Sequence, residues 1–163
     1  MTLDDRPSPN RDTVLPRYRA LCVDCDCVLR GLMVNFLNAH GFETTTASTV
    51  GGALYNYAED KPPELLTTCM FGIQRNGFEL GTSIRYRNSR IAMIAYSGFV
   101  TKDLPDKVLE AGFDRFLELP FPLHALHEAI HESLMRRGHG DAADYTSHCL
   151  HVFELTHPKA ADK

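Results

Sequence analysis

The sequence lacks any apolar run that approaches the roughly 18 consecutive residues needed to cross a membrane. Its first thirteen residues, MTLDDRPSPNRDT, are polar and proline-rich, and they contain no apolar core of the kind that a signal peptide carries. From these two absences we expect no membrane partner and, by default, a cytoplasmic location.

Positive charge is also scarce, with 17 lysine and arginine residues against 21 aspartate and glutamate residues and a formal net charge of −4. A surface that binds nucleic acid over a wide area carries a surplus of positive charge, so we expect no nucleic-acid partner. The cysteines number five, which is odd, in a 163-residue chain long enough to form a proper core. Reduced thiols are therefore expected instead of a disulfide framework.

What the sequence does contain is a regular alternation of short strand-like runs with stretches of helical period. The expected strands cover 20–23, 42–47, 64–69, 91–96 and 114–119. Ser48 is expected to cap the second helix. The first helix is expected to bury one face made of Leu29, Leu32, Met33, Phe36, Leu37 and His40. The last helix is expected to bury an inner stripe made of Leu123, Leu126, Ile130 and Leu134. Five β-α units in succession predict a doubly wound α/β domain, with a parallel sheet between two layers of helices.

The chain is expected to divide into a flexible arm over 1–17, the α/β domain over 18–137 and a C-terminal extension over 138–163. The run GHGDAAD, which begins after Arg137, predicts a break after the last helix of the domain. Beyond it, apolar residues at helical spacing predict one short helix that docks on its own domain or on a second subunit; they are Tyr145, Cys149, Val152 and Phe153.

Several chemically distinctive residues follow the predicted strands. In a doubly wound sheet the ligand crevice lies at the carboxyl ends of the strands, where the strand order reverses. We therefore expect one set of residues to gather at this rim: Asp24, Cys25 and Asp26 after the first strand, Cys69 after the third, Ser97 after the fourth and Leu119 after the fifth.

This order and spacing resemble the receiver domain of two-component response regulators, over about 19–134. The resemblance implies a flavodoxin-like fold with strand order 2-1-3-4-5 and a signalling function without enzymatic activity. In that family an acidic pair, aligned here with Asp24 and Cys25, holds Mg²⁺. The acceptor of the phosphoryl group, normally an aspartate, aligns with Cys69 in PPELLTTCMFGIQRNG. Ser97 matches the residue that bonds the phosphoryl oxygen, and Leu119 stands in place of a lysine before Pro120.

These departures predict a degenerate receiver that lacks the phosphoacceptor aspartate. Mg²⁺ prefers carboxylate oxygens, which Cys25 and Cys69 do not offer, and Leu119 supplies no cation to pair with a phosphoryl group. We therefore expect no phosphoryl transfer, no cofactor and no metal at this pocket. The resemblance implies that Ser97 and Phe116 form the switch, which reports to the face made by the fourth helix, fifth strand and fifth helix.

The expected function is a phosphorylation-independent signalling and protein-interaction module. Its partner would be a histidine kinase or another signalling protein, and a second copy of the chain could pair through the same face or through the C-terminal extension. An alternative function on the same scaffold is a thiol-based redox or soft-metal sensor that uses Cys25, Cys27 and Cys69. Cys22 is expected to point into the core as a small apolar residue.

A third alternative comes from HEAIH, residues 127–131, which match the HExxH signature of zinc hydrolases. The receiver arrangement puts this helix on the outside of the sheet instead of in a cleft, and no glycine followed by a third histidine extends the motif. We therefore expect His124, His127 and His131 to form a solvated stripe, with no metal bound.

Overall fold

The computed structural model describes residues 17–70 and 77–156, with side chains described through residue 151. The predicted arm lies outside this part of the chain, apart from Arg17. Five parallel strands form one sheet in the order β2-β1-β3-β4-β5, which confirms the predicted architecture and strand order. The strands are β1 (Tyr18–Val23), β2 (Phe42–Ala47), β3 (Leu65–Cys69), β4 (Ala92–Ser97) and β5 (Arg115–Glu118).

The described residues also form six helices: α1 (Cys27–Ala39), α2 (Val50–Asn56), α3 (Gly77–Arg87), α4 (Leu104–Glu110), α5 (Leu123–Arg136) and α6 (Gly140–Thr156). Their buried residues divide into two clusters, one with α1, α5 and α6 and the other with α2, α3 and α4. We name these the α1/α5 layer and the α2/α3/α4 layer. None of the described helices is both long and apolar enough to span a bilayer.

The strand residues alternate between the two layers, because successive side chains of a strand point to opposite faces of the sheet. On β1, Cys22 belongs to the α1/α5 layer, whereas Leu21 and Val23 belong to the α2/α3/α4 layer. All six residues of β4 are buried, as expected for a central parallel strand covered on both faces. Because all the strands are parallel, the carboxyl ends of β1, β3, β4 and β5 lie at one edge of the sheet, which we call the rim.

Three details of the predicted helices are wrong. Leu32 and Leu123 are 62% and 65% exposed, because each lies beside the buried stripe of its helix and not within it. The cap of α2 is Thr49 instead of Ser48: the Thr49 Oγ1 accepts a hydrogen bond from the Gly52 N–H at 3.0 Å, and the helix begins one residue later than expected.

The predicted break after the domain is shorter than expected. Only Gly138, with a φ of +80°, and His139 lie between the C-cap of α5 and the start of α6, which runs for 17 residues. The alanines of GHGDAAD favour helix, so this run begins α6 instead of interrupting it. The buried face of α6 packs on α5 and α1 of the same chain, and it consists of Ala142, Ala143, Thr146 and Cys149.

Close approach of α6 depends on Gly41, the residue after the C-cap of α1. Gly41 has a φ of +84°, and a Cβ at this position would lie 2.5 Å from Cε1 of Tyr145. The Tyr145 ring in turn contacts the Tyr18 ring edge-to-face, with centroids 5.8 Å apart. The extension is therefore docked on its own domain.

A buried carboxylate, Asp114, joins three elements at the end of the sheet opposite the rim. Its oxygens accept from Nη2 of Arg85 on α3 at 3.2 Å and from Nη2 of Arg137, after α5, at 2.6 Å. The Met93 N–H donates to the same carboxylate at 2.8 Å. With its side chain 1% exposed, Asp114 is fully paired in a site that water does not reach.

We predict that Asp114→Asn lowers the free energy of unfolding by about 3 kcal/mol, because it leaves two partly buried guanidinium groups without their anion. Urea unfolding measures the change. Asp144→Asn, on the exposed side of α6, is the matched control and should change the free energy of unfolding by less than about 0.5 kcal/mol. Equal effects from the two substitutions would contradict the assigned role of Asp114.

His40, the C-cap of α1, is the most deeply buried histidine among the described residues at 2% exposed. Its Nδ1 lies 2.7 Å from the Phe36 carbonyl oxygen, its ring stacks on the Phe36 ring, and the His127 ring is centred 5.5 Å away. Burial, together with the nearby His127, lowers the pKa of His40 from its usual value near 6.5 to about 4. The native imidazole is therefore neutral at neutral pH.

The unfolded chain takes up this proton near pH 6.5, whereas the folded chain takes it up only near pH 4. We therefore predict that the stability contributed by neutral His40 is complete above pH 6.5 and falls by about 3 kcal/mol as the pH drops to 4. Unfolding midpoints across this range test it by comparing the wild type with His40→Gln, which should lack this part of the pH dependence. His124→Gln, at an exposed site, should keep it.

Candidate functional site

Asp24 directly follows β1 and is fully buried at the rim. Its N–H donates to the Ala47 carbonyl oxygen at 3.0 Å, which extends the pairing with β2 by one residue. Its Oδ1 accepts from the Asp26 N–H at 2.9 Å, and its Oδ2 accepts from the Tyr96 hydroxyl at 2.6 Å. Both carboxylate oxygens are thus bonded to donors of the chain itself.

Asp26 is the N-cap of α1. One of its carboxylate oxygens accepts from the N–H groups of Val28 and Leu29, at 2.8 and 2.9 Å. Cys25 and Cys27, on either side of it, are exposed. Asp26 therefore has a structural role at the start of the helix, and the two neighbouring thiols face solvent.

Arg30, one turn into α1, donates from Nη1 to the Asp24 carbonyl oxygen at 2.6 Å. This contact ties the first turn of the helix to the end of β1. The contact is made with the main-chain oxygen of Asp24 and not with its carboxylate. Arg30 thus holds the loop in place without neutralising the carboxylate directly.

Cys69 ends β3, as predicted, and is 7% exposed. Its register partner on β4 is Tyr96, which is fully buried. Burial raises the pKa of the Tyr96 phenol far above its usual value, and the nearby Cys22 thiol and the bonded Asp24 carboxylate act in the same direction. The Tyr96 hydroxyl therefore stays protonated and donates a hydrogen bond to the Asp24 carboxylate.

Cys22 lies in the α1/α5 layer with no exposed surface, as expected from the sequence. Burial raises the pKa of its thiol to about 11. A thiol with this pKa is protonated at neutral pH and behaves as a small apolar residue. None of the five cysteines forms a disulfide.

Ser97, at the end of β4, is fully buried. Its hydroxyl donates to the Phe99 carbonyl oxygen at 2.8 Å and accepts from the Phe99 N–H at 3.2 Å, so it is engaged by the loop that follows the strand. Leu119 follows β5, donates its N–H to the Ser97 carbonyl oxygen and precedes a cis bond to Pro120. Phe116 is half-buried and packs on the α2/α3/α4 layer.

These side chains do not match a magnesium site. Mg²⁺ needs several oxygen ligands at octahedral geometry, but both oxygens of Asp24 are bonded internally and the thiols of Cys25 and Cys69 are soft donors. Cys25 is exposed, whereas Cys69 is buried. Across residues 17–70 and 77–156, no group of three or more His, Cys, Asp or Glu residues is arranged to hold a metal ion.

The histidines of α5 differ from the predicted solvated stripe. His124 is exposed, but His127 and His131 are half-buried in a groove between α5 and α6 that Glu128, Glu132 and Ser147 also line. The docking of α6, which the sequence left open, forms one side of this groove, and the His127 ring also lies beside His40 at the end of α1. The rings of His127 and His131 are centred 6.3 Å apart.

Sequence reasoning missed Tyr96 and Arg30. Tyr96 carried a usable signal: it is the one residue with a hydroxyl in the run IAMIAY, and a buried tyrosine needs a partner for that hydroxyl. Arg30 carried none, because its contact with the Asp24 carbonyl depends on the geometry of the loop between β1 and α1.

Comparison with known proteins identifies the family. A sequence model of the response regulator receiver domain matches residues 20–131, more than half of the chain. The transcriptional regulatory protein PrrA of Mycobacterium leprae (strain TN) is 29% identical over 127 residues, which are 78% of this chain and 54% of the relative. PdtaR of Mycobacterium tuberculosis (strain CDC 1551 / Oshkosh), also a transcriptional regulatory protein, is 25% identical over 131 residues, which are 80% of this chain and 62% of the relative.

Solved structures agree on the fold. A receiver domain protein from Clostridium thermocellum superposes with a TM-score of 0.68 at 20% identity, covering 75% of this chain and 98% of the other. A CheY-like receiver from Methanospirillum hungatei JF-1 gives 0.67 at 24% identity, covering 76% and 97%. The chain spans only 54% to 62% of the length of the curated relatives described above. It belongs to the response regulator receiver domain family, a family of two-component signalling modules.

Proposed function

We propose that this receiver domain signals by binding protein partners without accepting a phosphoryl group. The observation that carries the proposal is that β3 ends in Cys69, where the resemblance to the family places the acceptor aspartate. Cys69 is also only 7% exposed, so a phosphoryl donor has little access to its side chain.

Phosphoryl transfer also needs a bound Mg²⁺ and a nearby cation, and the residues at the same rim are poorly suited to supply either. Charge that develops on the equatorial oxygens must be neutralised, normally by Mg²⁺ and a cation nearby. Asp24 is the one carboxylate kept from the family's Mg²⁺ set, and both its oxygens are occupied by N–H and O–H donors. Leu119 contributes an apolar side chain to the α1/α5 layer where the family has a lysine.

The expected interaction surface is the face formed by α4, β5 and α5. Its two switch residues are held within the domain, since the Ser97 hydroxyl is bonded twice to Phe99 and Phe116 packs inward. This supports a single conformation that partners bind constitutively. A signalling protein such as a histidine kinase remains the proposed partner. For pairing with a second copy, the docking of α6 on its own domain favours this face over the extension.

We predict that incubation with acetyl phosphate and Mg²⁺ leaves the intact mass of the wild-type chain unchanged, because β3 ends in Cys69 and offers no aspartate as the acceptor. Mass spectrometry of the native protein is the measurement, and a receiver domain that retains its acceptor aspartate, treated in parallel, provides the positive control. A gain of one phosphoryl group, mapped to Asp24 or Asp26, would show that the domain still accepts phosphate and would end the proposal.

We also predict that the set of proteins captured from the native host by the tagged chain is the same with and without acetyl phosphate. Leu109→Asp should remove the captured partners, since Leu109 is a half-exposed apolar residue of α4 on the proposed face. Leu32→Asp, on the exposed side of α1, is the matched control and should retain them. Capture that depends on the phosphoryl donor, or that is lost equally in both variants, contradicts the proposed output.

A further inference from the structure

Asp24, Cys69 and Tyr96 lie in one row across three neighbouring strands. The strand register pairs Val23 with Thr68 and Cys69 with Tyr96. Asp24 follows Val23, so it continues the same row beyond the end of β1. Cys69 is therefore the middle member of the row, with Asp24 on one side and Tyr96 on the other.

The Tyr96 side chain reaches across this row. Its hydroxyl lies 2.6 Å from Oδ2 of Asp24, although β3 separates the strand of Tyr96 from the strand that Asp24 follows. Neighbouring strands are about 4.8 Å apart, so a side chain that bonds across two such spacings must pass over the strand between them. The phenol therefore crosses the end of β3, where Cys69 lies.

The crossing position is fixed by packing. Tyr96 and Cys69 belong to the same buried cluster of the α1/α5 layer. The ring of Phe121, in the loop before α5, meets the Tyr96 ring edge-to-face with centroids 6.1 Å apart. One end of the phenol is thus held by apolar contacts and the other by a charge-assisted hydrogen bond.

We propose that Tyr96 is a plug, which covers residue 69 and occupies the Asp24 carboxylate, and that it closes this site to phosphoryl donors and to Mg²⁺ whichever residue ends β3. The inference deepens the proposed function, on which it rests, because it adds a second barrier at the same site. Restoring the residues that the family uses is then not sufficient to restore its chemistry.

The test compares two restored chains. Both carry Cys25→Asp, Cys69→Asp and Leu119→Lys; one retains Tyr96, and the other also carries Tyr96→Ala. Calorimetry measures Mg²⁺ binding, and intact mass after acetyl phosphate treatment measures phosphoryl uptake. We expect Mg²⁺ to bind about ten- to a hundredfold more tightly when Tyr96 is absent, the factor that corresponds to one hydrogen bond to a charged group. Phosphoryl uptake should appear in that chain alone.

The outcomes separate the two proposals. If the restored chain with Tyr96 binds Mg²⁺ and accepts a phosphoryl group as readily as the chain without it, the plug is wrong while the proposed function stands. If the folded Tyr96→Ala chain gains neither property, removal of the plug does not open the site and the inference is also wrong. Phosphoryl uptake by the wild type overturns the proposed function together with the inference that rests on it. Circular dichroism checks that each chain is folded.

A second measurement uses the native residue at position 69 and does not depend on the restored set. In a Cys25→Ser/Cys27→Ser background, the remaining thiols are the three buried ones. Tyr96→Ala should raise the rate at which a thiol reagent labels Cys69 by about tenfold or more, because labelling no longer waits for a local opening. Peptide mapping identifies the labelled residue, with Cys149 as the internal reference.

The matched control is Leu37→Ala, which removes a fully buried side chain of α1 from the same layer but not from above β3. It should leave the labelling rate of Cys69 close to that of the background. An unchanged rate in Tyr96→Ala, or an equal rise in the two variants, would show that Tyr96 does not shield Cys69 and would overturn the inference.

Discussion

A buried carboxylate must receive hydrogen bonds, and this constraint organises both ends of the sheet. At one end, Asp114 collects two guanidinium groups and a main-chain N–H, which binds α3, β4 and the end of α5 together. At the other end, Asp24 takes donors from a tyrosine and from the turn into α1. The same requirement thus produces a buried ion-pair junction at one end and, at the other, a carboxylate whose two oxygens both accept hydrogen bonds.

The sequence was sufficient for the fold because each element carries a clear period. The nearly all-apolar run of β4 and the alternation of strands with helices predicted one parallel sheet with two covered faces, and the structure has it. Individual burial was harder to predict. Leu32 and Leu123 fit the helical period of an amphipathic stripe, but both are exposed in the structure. Whether a residue at the edge of such a stripe is covered depends on how the neighbouring elements are tilted.

The candidate site was predictable in position and less so in arrangement. Strand ends placed Asp24, Cys69 and Ser97 at one rim, since parallel strands share a direction. The reach of Tyr96 across β3 depends on a side-chain direction that no linear pattern encodes. Likewise, the groove that His127 and His131 line has α6 on one side, and the docking of this helix was left open by composition and spacing.

The short connection between α5 and α6 has a mechanical meaning. Only Gly138 and His139 connect the C-cap of α5 to α6, so the two helices can move little relative to each other. The α6 helix, about 25 Å long, also contacts α1. Both α1 and α5, the first and last helices of the domain, therefore pack on α6. A shift of α5 against the sheet must move α6 and α1 as well. This side of the molecule therefore moves as one body.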